Sequence, residues 1–356
     1  MNISYLQKSE WPKLKKFIKN YISNNIIEKK IFTKYWFLKD NKNWQIQIAK
    51  NELNQIESIN FFIKNKVKFF KKNINAVFTS LAYSKFDKRK KGTIGKILFL
   101  LHRKHNLVFS LCGNENSLPI NNLLGKEIPN LSFERFIYVH SNKCFRIIKK
   151  KYHHKIKLNF KNIKNNNNID IFETSTIPKN IDNLWKKFSL DIDICIIKNY
   201  NYLVWRYVKC PFQNYQFFIF KKNNNLLGLI VIKFQNTPYG KCARIVDIIV
   251  DKKYLESILG KMLLECSNRN VLYTDFFHVG KIYESYFIKS GFKYCASKNY
   301  LNKIPNLLSP IDAREWTNSF HIGGILIHDK KVKLNSNRIW FTKGDGDRDW
   351  PTLNDI

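Results

Sequence analysis

The stretch from Lys149 to Asn168 constrains this chain more than any other: it reads KKKYHHKIKLNFKNIKNNNN. It is basic, closes on four consecutive asparagines and has little periodic apolar content, which predicts a linker or surface excursion. The 356 residues then divide into a first unit at 1–148, a linker at 149–178 and a second unit at 179–356. Both units have the size of an ordinary domain. Apolar residues make up 44% of the chain, enough to fill two cores, which excludes a disordered chain or a collagen-like fibre. No apolar run approaches the ~18–20 residues that span a bilayer. Residues 1–16 lack the basic-then-apolar pattern of a secretory signal, so the expected location is cytoplasmic.

The two units repeat one order of elements. In the first, Trp44, Ile46 and Ile48 alternate on one face of a strand over 43–49, and further strands are expected at 57–63, 66–70 and 75–83. A basic turn, Asp87-Lys88-Arg89-Lys90-Lys91-Gly92, leads into Ile94, Ile97, Leu98 and Leu101 at helical spacing, and a strand follows at 107–112. In the second, strands at 215–220 and 226–234 flank a turn at 221–225, and a third covers 244–250. Leu255, Ile258, Leu259, Met262 and Leu263 mark a helix, 271–277 a strand, and 281–290 a helix stopped by Gly291. Each unit reads strand–strand–strand–helix–strand. The fold class is α/β with mixed sheets, and a duplicated module explains the order better than one large sheet.

The formal charge is +35, but only ten of the 62 cations are Arg. The rest are Lys spread through a sequence rich in Asn, Ile and Phe, the pattern of an AT-rich coding bias. A surface built for nucleic acid adds Arg, whose planar fork pairs with phosphates and base edges. Nucleic acid is therefore not the expected main partner, whereas an anionic ligand suits the charge. The seven Cys stand singly, with no Cys-x-x-Cys and no Cys/His set at zinc-ligand spacing, which predicts reduced thiols and no metal. His153-His154 lies inside the basic stretch and reads as solvated linker.

The basic glycine turn between a central strand and a helix resembles the GNAT superfamily of acyl-CoA-dependent N-acyltransferases. The resemblance is carried by Arg89-Lys90-Lys91-Gly92-Thr93-Ile94-Gly95-Lys96, set against the family's Arg/Gln-x-x-Gly-x-Gly/Ala. Gly113-Asn114-Glu115-Asn116-Ser117 is similar to the Pro-Asn-x-x-Ser loop of some members. In the second unit, Tyr202-Leu203-Val204-Trp205-Arg206-Tyr207 followed by Cys-Pro, the pair Gly291-Phe292, and the tail Thr342-Lys343-Gly344-Asp345-Gly346-Asp347-Arg348-Asp349 resemble paired members associated with surface-polysaccharide synthesis. The similarity covers about 35–140 and 200–350. It implies two tandem domains, acetyl-CoA or another acyl-CoA as co-substrate, and N-acylation of a small amine, which would be an amino sugar or nucleotide sugar.

The chemistry gives these residues roles. A turn entering a helix offers unpaired N–H groups and the positive end of the helix dipole to a diphosphate. Gly92 and Gly95 allow close approach; Arg89, Lys90, Lys91 and Lys96 add charge, and Thr93, Asn114 and Ser117 complete the expected donor site. Asp251-Lys252-Lys253-Tyr254-Leu255 enters the matching helix of the second unit with no Gly, so the donor is expected in the first. The resemblance also implies a phenol four residues before Gly291, but that position is Phe287, with Tyr286 one residue away; in the first unit the matching position is Asn121. The catalytic candidates are Glu115, Asp247 and Tyr286, with Asp275 similar in kind to Asp247. Trp205, Arg206, Asp345 and Asp347 are candidates for the acceptor. Trp205 and Arg206 equally suit an anchor that packs a helix on its sheet. The acidic tail begins like a calcium loop, then places Trp350 where Gly is needed and Ile356 where a bidentate Glu is needed. Two alternatives use the same fold: a transferase taking aminoacyl groups from charged tRNA, and a catalytically degenerate scaffold.

Overall fold

The computed structural model describes residues 2–22, 26–38, 44–85, 92–111, 117–141, 143–144, 168–237, 239–295, 319–328, 332–347 and 349–350. The first unit runs β1 (Asn2–Tyr5), α1 (Trp11–Tyr21), α2 (Lys30–Phe37), β2 (Ile46–Lys50), β3 (Ile56–Phe69) and β4 (Lys72–Ser84). It continues with α3 (Thr93–Lys104), β5 (Leu107–Leu111), α4 (Leu118–Leu124) and β6 (Gly125–Val139). The second runs β7 (Asp170–Thr174), α5 (Ile181–Phe188), β8 (Ile194–Ile196), α6 (Tyr200–Leu203), β9 (Gln216–Lys222), β10 (Asn225–Thr237) and β11 (Gly240–Val250). β7 is a strand inside the 149–178 stretch expected to be linker, and it pairs with β9. Then come α7 (Leu255–Asn268), β12 (Tyr273–Val279), α8 (Glu284–Lys289), β13 (Lys293–Tyr294), β14 (Ser319–Gly323), α9 (Ile325–His328) and β15 (Ile339–Thr342).

Local chemistry explains the boundaries. Trp11, Leu14, Phe17 and Ile18 bury one face of α1, and Pro12 sits in its first turn, where no N–H is missed. The expected strands at 57–63 and 66–70 are one strand, β3, which pairs with β4 along its length. The β9–β10 turn shrinks to Asn223-Asn224, both left-handed at φ 48° and 62°, a geometry asparagine tolerates and hairpins favour. The helix expected over 281–290 is shortened to α8, and Gly291 follows it at φ 95°.

The units share one irregularity. β4 pairs in parallel with β5 only through 76–78 and 107–109, and β11 with β12 only through 243–245 and 274–276. Just beyond, each long strand bulges. The β3–β4 register jumps between Asn60 and Phe62, placing an extra residue near Ser80; the β10–β11 register jumps between Val231 and Ile232, placing one at Val246. A bulge bends its strand and leaves main-chain groups out of the ladder.

The expectation of separate modules over one large sheet is corrected here: the strands of the described residues join in one fifteen-stranded sheet. β6 pairs with β12 over 133–139 and 273–279, β14 pairs with β5 and β6, and β15 pairs with β12 and, in parallel, β8, which pairs with β3. The physical reason is edge satisfaction. Strands with diverging neighbours leave N–H and C=O groups that must be paired, and segments from the other unit pair them. The cores interlock likewise: the cluster around β3 takes in Phe277, Ile339 and Phe341, and the cluster around α7 takes in Phe136 and Tyr138. The six cysteines among the described residues are free and buried. No helix among those residues is long and apolar enough to cross a membrane.

Candidate active site

The start of α3 is described from Gly92 onward. Gly92 is the N-cap of α3 at φ 64°, and no side chain caps the helix. The Lys96 amide bonds back to the Gly92 carbonyl at 3.1 Å, which starts the helical ladder. Among the described residues, nothing lies within 4 Å of where a Cβ would stand on Gly92 or Gly95. Thr93 is buried and Lys96 is exposed. Arg89, Lys90, Lys91, Asn114 and Glu115 lie outside the described residues, as does His153-His154. Ser117 heads α4 without capping it. In the second unit the matching turn is closed: Asp251 caps its own short helical turn, its carboxylate accepting from the Lys253 amide at 3.2 Å.

At the β4 bulge, Ser80 Oγ donates to Asp347 Oδ2 at 2.8 Å. The tail arrives there because Gly346 is seated between Leu111 and Phe78; a Cβ on it would stand 3.3 Å and 3.8 Å from them. Asp347 is thus a partly buried carboxylate where β4 and β5 separate.

Asp247 follows the corresponding bulge of the second unit, and there the space is filled. Lys198 Nζ donates to Asp247 Oδ1 at 2.6 Å and to Thr342 Oγ1 at 3.0 Å, and lies 3.0 Å from Asp345 Oδ1. Tyr207 donates its hydroxyl to Asp247 Oδ2 at 2.7 Å. Lys198 and both carboxylates are buried. Burial alone would lower the Lys198 pKa, but Asp247 and Asp345 outweigh it and hold the ammonium above its ordinary value. Burial pushes Asp345 up to about 6 against the pull of Lys198. Asp275 is also enclosed, 2.7 Å from Arg135 and 3.7 Å from Arg244.

Arg206 is fully buried. Its Nε donates to the Gly344 carbonyl at 2.7 Å, one terminal nitrogen donates to the Tyr215 hydroxyl at 2.9 Å, and the other lies 3.6 Å from Asp349. Its guanidinium sits over Trp36. Trp205 stacks on Tyr35 at 5.5 Å and meets Trp36 edge-on. The tail carboxylates therefore diverge: Asp345 goes to Lys198, Asp347 to Ser80 and Asp349 to Tyr215. Tyr286 is partly buried on α8 in the second unit, beside Tyr283, while Phe287 is buried against Phe136 and Phe276. Asn121 donates to Ser110 Oγ at 3.0 Å.

A cleft of about 650 Å³ opens between β3–β4 and the segment that carries α6. Lys64, Lys66 and the main chain at Ala76 and Val77 line it from the first; Asn199, Asn201, Tyr202 and Trp205 line it from the second. Val77 precedes Ser80 by three residues on β4, a rise of roughly 10 Å.

The sequence reading missed Ser80 and Lys198. Ser80 has no local signature, because its role depends on a bulge and a distant carboxylate. Lys198 does leave a trace: it is the one cation closing the apolar run Ile194-Cys195-Ile196-Ile197, a position that a folded chain buries only with a counter-charge.

No protein-family model matches the sequence, and no curated protein matches it. The structure does resemble solved ones. A GCN5-related N-acetyltransferase from Anabaena variabilis superposes at a TM-score of 0.58 and 8% identity, over 90% of this chain and 72% of that one. A conserved Enterococcus faecalis protein of unknown function, described as a probable N-acyltransferase, gives 0.61 and 11% over 90% and 71%. Saccharomyces cerevisiae N-myristoyltransferase, solved with bound myristoyl-CoA, gives 0.52 and 9% over 90% and 82%. The fold of this chain is that of the GNAT-type acyltransferases.

Proposed function

We propose that the protein is an acyl-CoA-dependent N-acyltransferase whose first unit holds the donor. The observation that carries this reading is the start of α3: a glycine N-cap with no side-chain cap and, among the described residues, nothing within 4 Å of a Cβ on Gly92 or Gly95, after a strand that bulges just past its parallel pairing with β5. Amides at such a terminus favour a diphosphate, and the basic residues Arg89, Lys90 and Lys91 precede it in sequence. The contrast with Asp251 supports the assignment, because a carboxylate capping the second turn repels phosphate and occupies an amide. β15 also pairs with β12 beside the second bulge, so that position of the second unit is taken by a strand.

Asp347 is the general base in this reading. It takes a proton from the substrate ammonium, whose nitrogen then attacks the thioester carbonyl; the C–N bond forms, the C–S bond breaks, and the second proton the nitrogen sheds passes through solvent to the departing thiolate. Main-chain groups freed at the β4 bulge polarise the carbonyl oxygen. Acetyl is the proposed acyl group. The proposed acceptor is the amine of an amino sugar on an anionic carrier such as a nucleotide, in envelope-polysaccharide synthesis, with the carrier in the cleft beside β3 and β4. Aromatic, amide and Lys side chains line that cleft, a set that suits a sugar ring and phosphate. Calorimetric titration with CoA and acetyl-CoA tests the reading. Saturable binding that Gly95→Glu weakens is expected. No binding, together with tRNA affinity that falls steeply with salt, would replace it with the aminoacyl-tRNA alternative.

A further inference from the structure

The seam between the units holds a second cluster of chemistry, apart from the Gly92 turn and the β4 bulge. Glu134 on β6 and His278 on β12 are direct partners in the antiparallel ladder. Glu284 in the first turn of α8 completes the set, and one potential ligand atom from each of the three lies within 4.8 Å of the others. His278 is fully buried, and neither ring nitrogen has a hydrogen-bond partner of ordinary geometry, although the Gly280 backbone lies near. Such a group costs free energy unless something satisfies it.

The surroundings fix the ligands. The His278 ring is stacked against Phe136 at 5.1 Å, Trp340 at 5.2 Å and Phe276 at 5.5 Å, which sets its plane. Ser132 and Tyr294 donate to Glu134 Oε1 at 3.1 Å and 3.2 Å, orienting the carboxylate from behind. Burial holds His278 down to about 4, so the imidazole is neutral and able to ligate at neutral pH. Burial and the facing Glu134 push Glu284 up to about 8, with Lys281 pulling the other way; two carboxyls drawn together this closely share a proton or a cation. Glu284 is only partly buried, which gives a route in.

We propose that Glu134, His278 and Glu284 bind one divalent transition-metal ion of the zinc type, clamping β6 of the first unit to β12 and α8 of the second. An imidazole with two carboxylates suits Zn²⁺ and its first-row neighbours; Mg²⁺ is disfavoured because it prefers oxygen ligands alone. This departs from the expectation from sequence that no metal is held. The three residues are 144 and 6 positions apart in the chain, so no spacing motif announces them.

The test is calorimetric titration of full-length, chelator-stripped protein with ZnCl2, with MgCl2 as control, alongside thermal denaturation. One equivalent of Zn²⁺ should bind and raise the melting temperature, and Mg²⁺ at the same concentration should do neither. Glu284→Gln, at a partly exposed helix start, and His278→Phe, a ring replacing a ring in an aromatic stack, should each lose stoichiometric binding. Co²⁺ in place of Zn²⁺ should give visible d–d bands without a thiolate charge-transfer band. The site is overturned if the wild type shows no saturable Zn²⁺ binding. It is equally overturned if Glu284→Gln binds Zn²⁺ as the wild type does, or if Co²⁺ shows thiolate ligation, because the ion would then sit on other residues.

Discussion

Asp347 and Ser80 are 267 positions apart in the chain, yet Ser80 Oγ donates to Asp347 Oδ2 at 2.8 Å where β4 leaves β5. If Asp347 is the base, Asp347→Asn should lower kcat by about 10²–10⁴ and leave CoA affinity unchanged, since the side chain acts on the amine and not on the diphosphate. Ser80→Ala should cost far less, because it only orients the carboxylate. Thiol release from acetyl-CoA with an amino-sugar acceptor measures both. Equal loss in CoA affinity and in kcat would make Asp347 a structural residue.

Gly95→Glu separates folding from donor binding. Its Cβ meets nothing within 4 Å, and an acid in the first turn of a helix is favourable for the helix itself. The melting temperature should hold or rise, while CoA affinity falls at least about tenfold, equivalent to about 1.4 kcal/mol. Unchanged affinity would remove the diphosphate from this turn.

Lys198 is the counter-charge for Asp247 and Asp345. Lys198→Met leaves two carboxylates buried without it and should destabilise the protein by about 3–5 kcal/mol in urea unfolding. Adding Asp247→Asn should recover part of that loss, because it removes one of the stranded charges. A single variant as stable as the wild type would show that the triad is not the brace described.

Acid should unfold the protein. His102, His105, His140 and His278 are each held down to about 4, first by burial, with His328 adding at His102 and Lys64 at His105. Their unfolded values lie near 6.5, so the unfolded chain binds more protons below that pH. The histidine contribution is complete above about 6.5 and lost as pH falls to 4. Asp345, raised by burial to about 6, and Glu284, raised by burial and Glu134 to about 8, act in the opposite sense: they favour the folded state at low pH and lose that contribution as pH rises through those values. Four groups against two give a net loss of stability from pH 6 to 4. Above 6.5 Glu284 acts against stability, so Glu284→Gln should flatten the decline toward pH 8. Melting temperatures of chelator-stripped protein across pH 4 to 8 check both arms.

Periodicity carried much of the architecture. Of Ile94, Ile97, Leu98 and Leu101, the last three are buried on α3 and Ile94 is half-buried, and Leu255, Ile258, Leu259, Met262 and Leu263 of α7 are all buried. The helix start at Gly92 was legible as well, because a glycine before a helical period suits the left-handed N-cap it adopts. The sharing of one sheet was not legible, because hydrogen-bond partners across it come from strands with the same apolar alternation. Residues 133–139 on β6 suit an edge in either unit until the geometry of β12 chooses.

By itself the sequence determined most of the helices and strands, because these depend on side-chain period and on backbone freedom within a few residues. Tertiary structure alone decided that Asp345, Asp347 and Asp349, spaced two apart, part toward Lys198, Ser80 and Tyr215, and that Glu134 faces His278. Those pairings are set by which buried charges and strand edges must be satisfied. That balance is struck over the whole sheet, so no local stretch of sequence encodes it.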